Sequence, residues 1–498
     1  MKKYIYILIA LVMFSSCESE LELTSPSELT ASGFWDTETG ARTAHTGLYG
    51  DLRSSNANFW LLGEMRSDIW GGRTYESPSN ESLIESNITV STAPFGGWAG
   101  IYSNIHKVND FLINISNISF VNEDDKNHLI GQAYGLRALY YYTLLKTWGD
   151  VPLITEPLNN VDPSSLSKPR SPQSEVMTLI KSDIEASLSN FGTDDSFFNG
   201  SNVYWSKAAT LALKGDVFIW SGNLLGGGTS DLTIAKSALE QIASLGVELA
   251  PNYNDLWGAS NEGNSEFIFA IDYAQDEASN LYNSLTGRST EINPQFDQDG
   301  NSMSSFVISG ANRYGQSEKT ILLLDDNDDS RKAATFIRLY TDGVGYPTYN
   351  EPTYFGSIFN KFLGRVDGSE RIFDSNIPVY RYADVILMIA EAKNLLGEDP
   401  SDEINEIRQR AYGANYVAAT HEYTNGSQTA NANAILNERY KEFIGEGKRW
   451  WDLRRAGNNY VINEVPFLNS GDEYKLLLPI TTDMIGRNPA LDQTQGYN

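Results

Sequence analysis

Apolar residues recur at helical spacing along most of the chain. Leu129, Ala133, Leu136, Tyr140, Leu144 and Trp148 fall on one helix face, and Gly149-Asp150-Val151-Pro152 supplies the stop. The same spacing predicts helices over 98–115, 173–188, 205–220, 232–244, 380–396, 402–411 and 432–453. Trp98, Tyr140, Tyr141, Trp148, Trp205 and Trp220 lie on these faces and are expected in the core. Short helices in sequential pairs suggest an array of the tetratricopeptide kind, although no ~34-residue period is visible. Three stretches lack this periodicity: 66–82, 274–319 and 340–375. The expected fold is mostly α, with helix pairs supporting a long-loop, mixed region where binding residues tend to lie.

The first 16 residues follow a different pattern. Met1-Lys2-Lys3 precedes a short apolar run from Tyr4 to Phe14, then Ser15, Ser16 and Cys17. The run is shorter than the ~20 residues of a spanning helix, and its parts are those of a secretory signal. Small residues before the chain's single cysteine make it a bacterial lipoprotein signal, with Cys17 acylated after cleavage. Residues 17–30 read as an acidic tether and 31–498 as one domain.

Composition narrows the function. The 498 residues carry a net charge of −27, becoming −29 once Lys2 and Lys3 are cleaved away, which disfavours nucleic acid and anionic lipid as direct partners. One cysteine excludes an internal disulfide. Four histidines, none clustered, leave little for a transition metal. Aromatics make up 12% of the chain.

Several segments together resemble the SusD/RagB family of Bacteroidota surface lipoproteins. Residues 133–142 (Ala-Tyr-Gly-Leu-Arg-Ala-Leu-Tyr-Tyr-Tyr) followed by Trp148-Gly149-Asp150-Val151-Pro152 are similar to an early signature of that family. Residues 380–392 and 405–411 resemble its middle ones. Asn437-Glu438-Arg439-Tyr440, leading to Gly447-Lys448-Arg449-Trp450-Trp451-Asp452, and the closing Leu478-Pro479-Ile480 match its C-terminal part. The resemblance implies a helical, tetratricopeptide-like fold anchored at the outer face of the outer membrane. It also implies capture of a nutrient, most often a glycan, for a SusC-like TonB-dependent transporter. Peptide cargo on the same fold and a surface glycosidase are the alternatives.

A glycosidase needs paired carboxylates. Asp384 and Glu391 lie seven residues apart on one predicted helix, about 10 Å along its axis, near the ~6.5–9.5 Å of an inverting pair. Both stand in an apolar helix, so a buried network with Arg381 is the expectation, and catalysis is not. Glu438, Glu442 and Glu446 with Arg439, Arg449, Arg454 and Arg455 are expected to staple the C-terminal helix. Residues 325–329 (Asp-Asp-Asn-Asp-Asp) lack the spacing of a calcium loop and are expected to form a solvated turn. Asp297-Gln298-Asp299-Gly300-Asn301 leaves structural calcium open, and no other cofactor is expected.

Sugar rings stack on aromatic faces while their hydroxyls meet Asp, Asn and Arg. Loop residues are therefore the expected ligand contacts: Asp68, Trp70, Arg73 and Tyr75 from the first loop, and Tyr282, Arg288 and Tyr314 from the second.

Overall fold

A computed structural model describes residues 34–71, 81–91, 97–158, 167–284, 287–308 and 315–497. The signal segment, Cys17 and the tether lie outside these residues, as do Arg73, Tyr75 and Tyr314.

The long helices are α1 (Glu38–Glu64), α2 (Ala99–Ile115), α3 (Glu123–Trp148), α4 (Gln173–Phe191), α5 (Lys207–Leu224) and α6 (Gly228–Gln241). Later in the chain come α7 (Tyr382–Leu396), α8 (Ser401–Tyr412), α9 (Gln428–Phe443), α10 (Arg449–Ala456) and α11 (Asn458–Glu464). From α1 to α7 each packs on the next, and α7 also meets α8 and α9. Only residues 225–227 join α5 to α6, so those two form a tight helical hairpin. Among the described residues no helix is long and apolar enough to cross a membrane.

The centre of the array is α3, about 39 Å long, whose residues from Leu136 to Trp148 are all buried, save none. Asn122 caps its start by accepting the Asp124 amide at 3.1 Å. Gly135 lets the neighbour in closely, since a Cβ there would stand 2.0 Å from Trp205 Nε1. Trp98, Tyr140, Tyr141, Trp148, Trp205 and Trp220 are buried as their spacing predicts.

Three expectations change. The longest helix, α1, was not predicted, because its residues are mostly small or polar and mark no wide apolar stripe. The span 432–453 is not one helix: α9 ends at Phe443 and α10 starts at Arg449. Between them Gly445 (φ 84°) and Gly447 (φ 72°) adopt left-handed backbone, and a Cβ on Gly445 would stand 1.9 Å from the Phe359 ring. The sheets lie within and beside the aperiodic regions. Strand β1 (Phe267–Ile271) pairs antiparallel with β7 (Ile377–Arg381). Strands β2 (Phe296–Asp297), β3 (Phe336–Tyr340) and β4 (Tyr354–Phe359) form a three-stranded antiparallel sheet, and β5 (Arg365–Asp367) pairs with β6 (Glu370–Ile372). Their inward residues, Leu339, Tyr340, Ile358 and Phe359 among them, are buried.

Candidate functional site

The chain leaves α1 at Met65 and at once enters a fixed segment. Arg66 lies over the Trp450 ring, 4.1 Å from its centroid, and burial pulls its guanidinium down to about 10. The Asp68 carboxylate is bound at both oxygens by Arg449 (2.8 and 2.9 Å) and by Lys319 at 2.6 Å. Burial opposes its ionisation, but Arg449 and Lys319 outweigh that and hold it below the ordinary carboxylate range.

This segment is clamped to a second one 249–251 positions away in sequence. The Gly71 amide donates to the Gly315 carbonyl (3.0 Å) and the Ser317 amide to the Ile69 carbonyl (2.8 Å). The hydroxyls of Ser317 and Thr320 donate to the carbonyls of Asp68 (2.7 Å) and Ile69 (2.8 Å). Trp70 and Gln316 thereby form an antiparallel bridge.

Beneath the clamp lies an aromatic cluster. Trp60 meets Trp70 and Tyr282 edge-on, each at 6.2 Å between centroids. Tyr282 stacks on Phe362 at 4.4 Å and Trp70 packs on Phe359 at 6.4 Å. The Tyr282 hydroxyl and Trp60 Nε1 both donate to the Gly445 carbonyl, the latter at 2.7 Å. Glu64 accepts the amides of Gly445 (2.7 Å) and Gly447 (3.0 Å). The break between α9 and α10 is thus the seat on which both loops are mounted.

The expected ligand contacts are corrected accordingly. Asp68, Trp70 and Tyr282 are brought together, but at 0%, 2% and 0% exposure they are the buried frame of the site and present no face to a ligand. Arg288 is exposed, just before the short helix Ser289–Ile292, and its side chain makes no ion pair among the described residues. Around the clamp the accessible groups are Lys319, which also pairs with Glu464, and the half-buried Phe467 ring beside Gly71. That rim offers donors, an acceptor and an apolar face, the groups a polyhydroxylated ligand requires. Trp60, Lys319, Glu464 and Phe467 were not singled out from sequence. Nothing local marks them, because their roles come from a pairing of distant segments.

The signature charges form a buried network with partners other than those expected. Arg381 does not pair with Asp384; it binds Glu266 (2.6 Å), Glu442 (2.6 Å) and Glu446 (2.8 Å). Asp384 is held by Arg439 (2.7 Å) and Lys448 (2.5 Å), and Glu391 by Arg455 (2.7 Å). Burial works against the charge on Asp384, and Lys448 and Arg439 still keep it well below the usual range. Arg381 and its carboxylates bind together β7, α9 and the break after it, with Arg410 of α8 joining through Glu266 at 3.0 Å. The turn at 325–329 is not solvated throughout. Asp329 is buried and chelates Arg331 (2.7 Å), while Asp325 meets Lys332 (2.9 Å) and Arg338 (2.5 Å). In the Asp297–Asn301 turn, Asp297 accepts the amides of Asp299 (2.9 Å) and Asn301 (2.8 Å) and the Asn301 side chain (3.0 Å). Its carboxylate is spent on the turn itself. Among the described residues no three His, Cys, Asp or Glu side chains group as metal ligands.

Comparison with known proteins gives concordant results along the chain. Residues 251–497 match the profile described as the SusD family, and residues 21–211 match one described as starch-binding, associating with the outer membrane. SusD-like protein P38 of Formosa agariphila is 27% identical over 516 residues, spanning 99% of this chain and 98% of that one. The solved structure of B. fragilis NanU superposes with a TM-score of 0.86 at 36% identity, covering 95% of this chain and 99% of that one. A SusD superfamily protein from Bacteroides vulgatus gives a TM-score of 0.83 at 33% identity, covering 92% and 99%.

Proposed function

The chain belongs to the SusD family, and from that premise we propose that it is a glycan-binding protein of the cell surface. In this reading it captures an oligo- or polysaccharide and passes it to a SusC-like TonB-dependent transporter, anchored in the outer membrane through lipid on Cys17. Two things support the reading: the description of the matching N-terminal profile as starch-binding and associating with the outer membrane, and the clamp.

The clamp is the observation that carries it. Four hydrogen bonds to backbone carbonyls and the Lys319–Asp68 ion pair lock 68–71 to 315–320 over a seat of buried aromatics, so the site is mounted rigidly and little ordering is left for binding. Stacking and hydrogen bonding at its rim supply the affinity. No acid–base chemistry is assigned, since Asp384 and Glu391 are each committed to buried cations.

Calorimetry of the chain from residue 18 onward against a panel of polysaccharides and peptides tests this. Saturable binding to a polysaccharide is expected, without release of new reducing ends. Binding to peptides alone would replace the glycan cargo, and sustained hydrolysis would make the protein an enzyme. Phe467→Ala, which removes the apolar face of the rim, is expected to weaken binding by about tenfold, near 1.4 kcal/mol.

A further inference from the structure

Away from the clamp, a cavity of about 500 Å3 opens between residues 197–203, 262–267 and the start of β7. Its size is that of a small-molecule site. Its wall combines the half-buried Phe197 ring with Ser201, Asn202, Glu262, Asp272 and Asn376.

The hydrogen-bonding capacity of that wall is one-sided. Asn202 spends its amide N–H groups on the carbonyls of Glu262 (3.1 Å) and Phe267 (3.4 Å), leaving its oxygen. Glu262 receives one bond, from the Asn376 amide at 3.0 Å, so most of its lone pairs are unused. Asn376 is occupied in turn, its oxygen accepting the Tyr273 amide at 2.7 Å and its side-chain amide donating to Asp272. What the pocket has left to offer is chiefly acceptors.

Its charge is equally one-sided. Asp68, Asp216, Asp329, Asp384, Glu391, Glu442 and Glu446 each have an arginine or lysine partner. Glu262 and Asp272 make no ion pair among the described residues. Arg53, the nearest cation, turns one nitrogen to the Asp272 backbone carbonyl (3.3 Å) and another to Glu277 (2.7 Å). Asp374, which also faces Glu262, is taken by Arg365 at 3.0 Å. Two carboxylates therefore line a formed cavity, Glu262 with no cation beside it and the exposed Asp272 with Arg53 alone nearby, a setting that favours a bound cation rich in donors.

We propose that this cavity is a second binding site, for an ammonium-bearing polyol such as an amino sugar with a free amine, held by Glu262 and Asp272 with Phe197 against its apolar face. It shares no residue with the clamp and stands whether or not the clamp binds glycan. Burial, and then the neighbouring Asp272 and Asp374, push Glu262 up to about 7. A cation seated there relieves that repulsion, so binding strengthens as pH rises through neutrality.

The test is calorimetry of the same chain with N-methyl-D-glucamine, whose amine stays protonated across neutral pH, and with D-sorbitol as its uncharged counterpart. Saturable binding of the amine is expected at about pH 8, weakening by about tenfold at about pH 5.5. The double variant Glu262→Gln, Asp272→Asn is expected to lose at least about tenfold in affinity and its pH dependence. Equal affinity for sorbitol, an unchanged variant, or no saturation up to the solubility of the amine would overturn the proposal. Should the variant fold poorly, the pH series on the unaltered protein decides alone.

Discussion

Replacing Trp70 by alanine separates framework from ligand contact. The indole is 2% exposed and lies between Trp60 and Phe359. A side chain of this kind buries on the order of 200 Å2, worth ~5 kcal/mol at ~25 cal/mol/Å2. A compact denatured state lowers that by roughly 10–40%, so Trp70→Ala should cost about 3–5 kcal/mol, in line with buried Trp truncations elsewhere. Urea unfolding followed by far-UV circular dichroism should show an earlier midpoint with the slope unchanged. Trp70→Phe, which keeps an aromatic ring against Trp60, should lose less. Glycan affinity measured well below the variant's unfolding midpoint should fall only modestly, because the ring presents nothing to solvent. A stability change within ~0.5 kcal/mol, joined to a loss of affinity beyond tenfold, would show the indole facing a ligand and refute the argument.

Arg381→Met strands Glu266, Glu442 and Glu446 with fewer cations and should cost ~3–5 kcal/mol in urea unfolding. Glu442 is now held far below its ordinary range despite burial, by Arg410, Arg381 and Arg331, so it contributes stability above the unfolded value of 4.5 that fades as pH falls. The deficit of the variant should therefore be largest near neutrality and shrink in acid; a deficit independent of pH would contradict the pairing. His45, bonded to Gln132 at 2.9 Å, is pushed down to about 3 by burial. The unfolded chain takes up that proton first, so stability drops below pH 6.5, by about 2 kcal/mol at pH ~5. His45→Gln should flatten that slope in thermal melts at a series of pH values, and coincident slopes would rule the histidine out. Gly135→Ala should destabilise by ~1–3 kcal/mol because its methyl group meets Trp205. Gly50→Ala in α1, with nothing within 4 Å of the added carbon, should stabilise by up to ~1 kcal/mol, and similar effects at the two sites would defeat the contrast.

What the chain states locally is its helices. A helix is built from neighbours, so apolar spacing and one Gly–Pro stop placed α2 to α8 to within several residues and assigned their aromatics to the core. Where a helix carries small and polar residues, as α1 does, that signal is absent and the element was invisible. The charged signatures were legible as a buried network, yet not its pairing, since Arg381 meets Glu266, in the turn before β1 and 115 positions away, in preference to Asp384 three positions on. The candidate site divides the same way. Sequence located the two loops by their composition, and it took loop aromatics to be presented and helix aromatics to be packed. Tertiary structure decided otherwise for Trp70 and Tyr282, because the glycine break after α9 makes room for both rings against Trp60 and Phe359. Which face of a ring meets solvent depends on what the rest of the chain brings to it, and that is settled only when residues hundreds of positions apart come into contact.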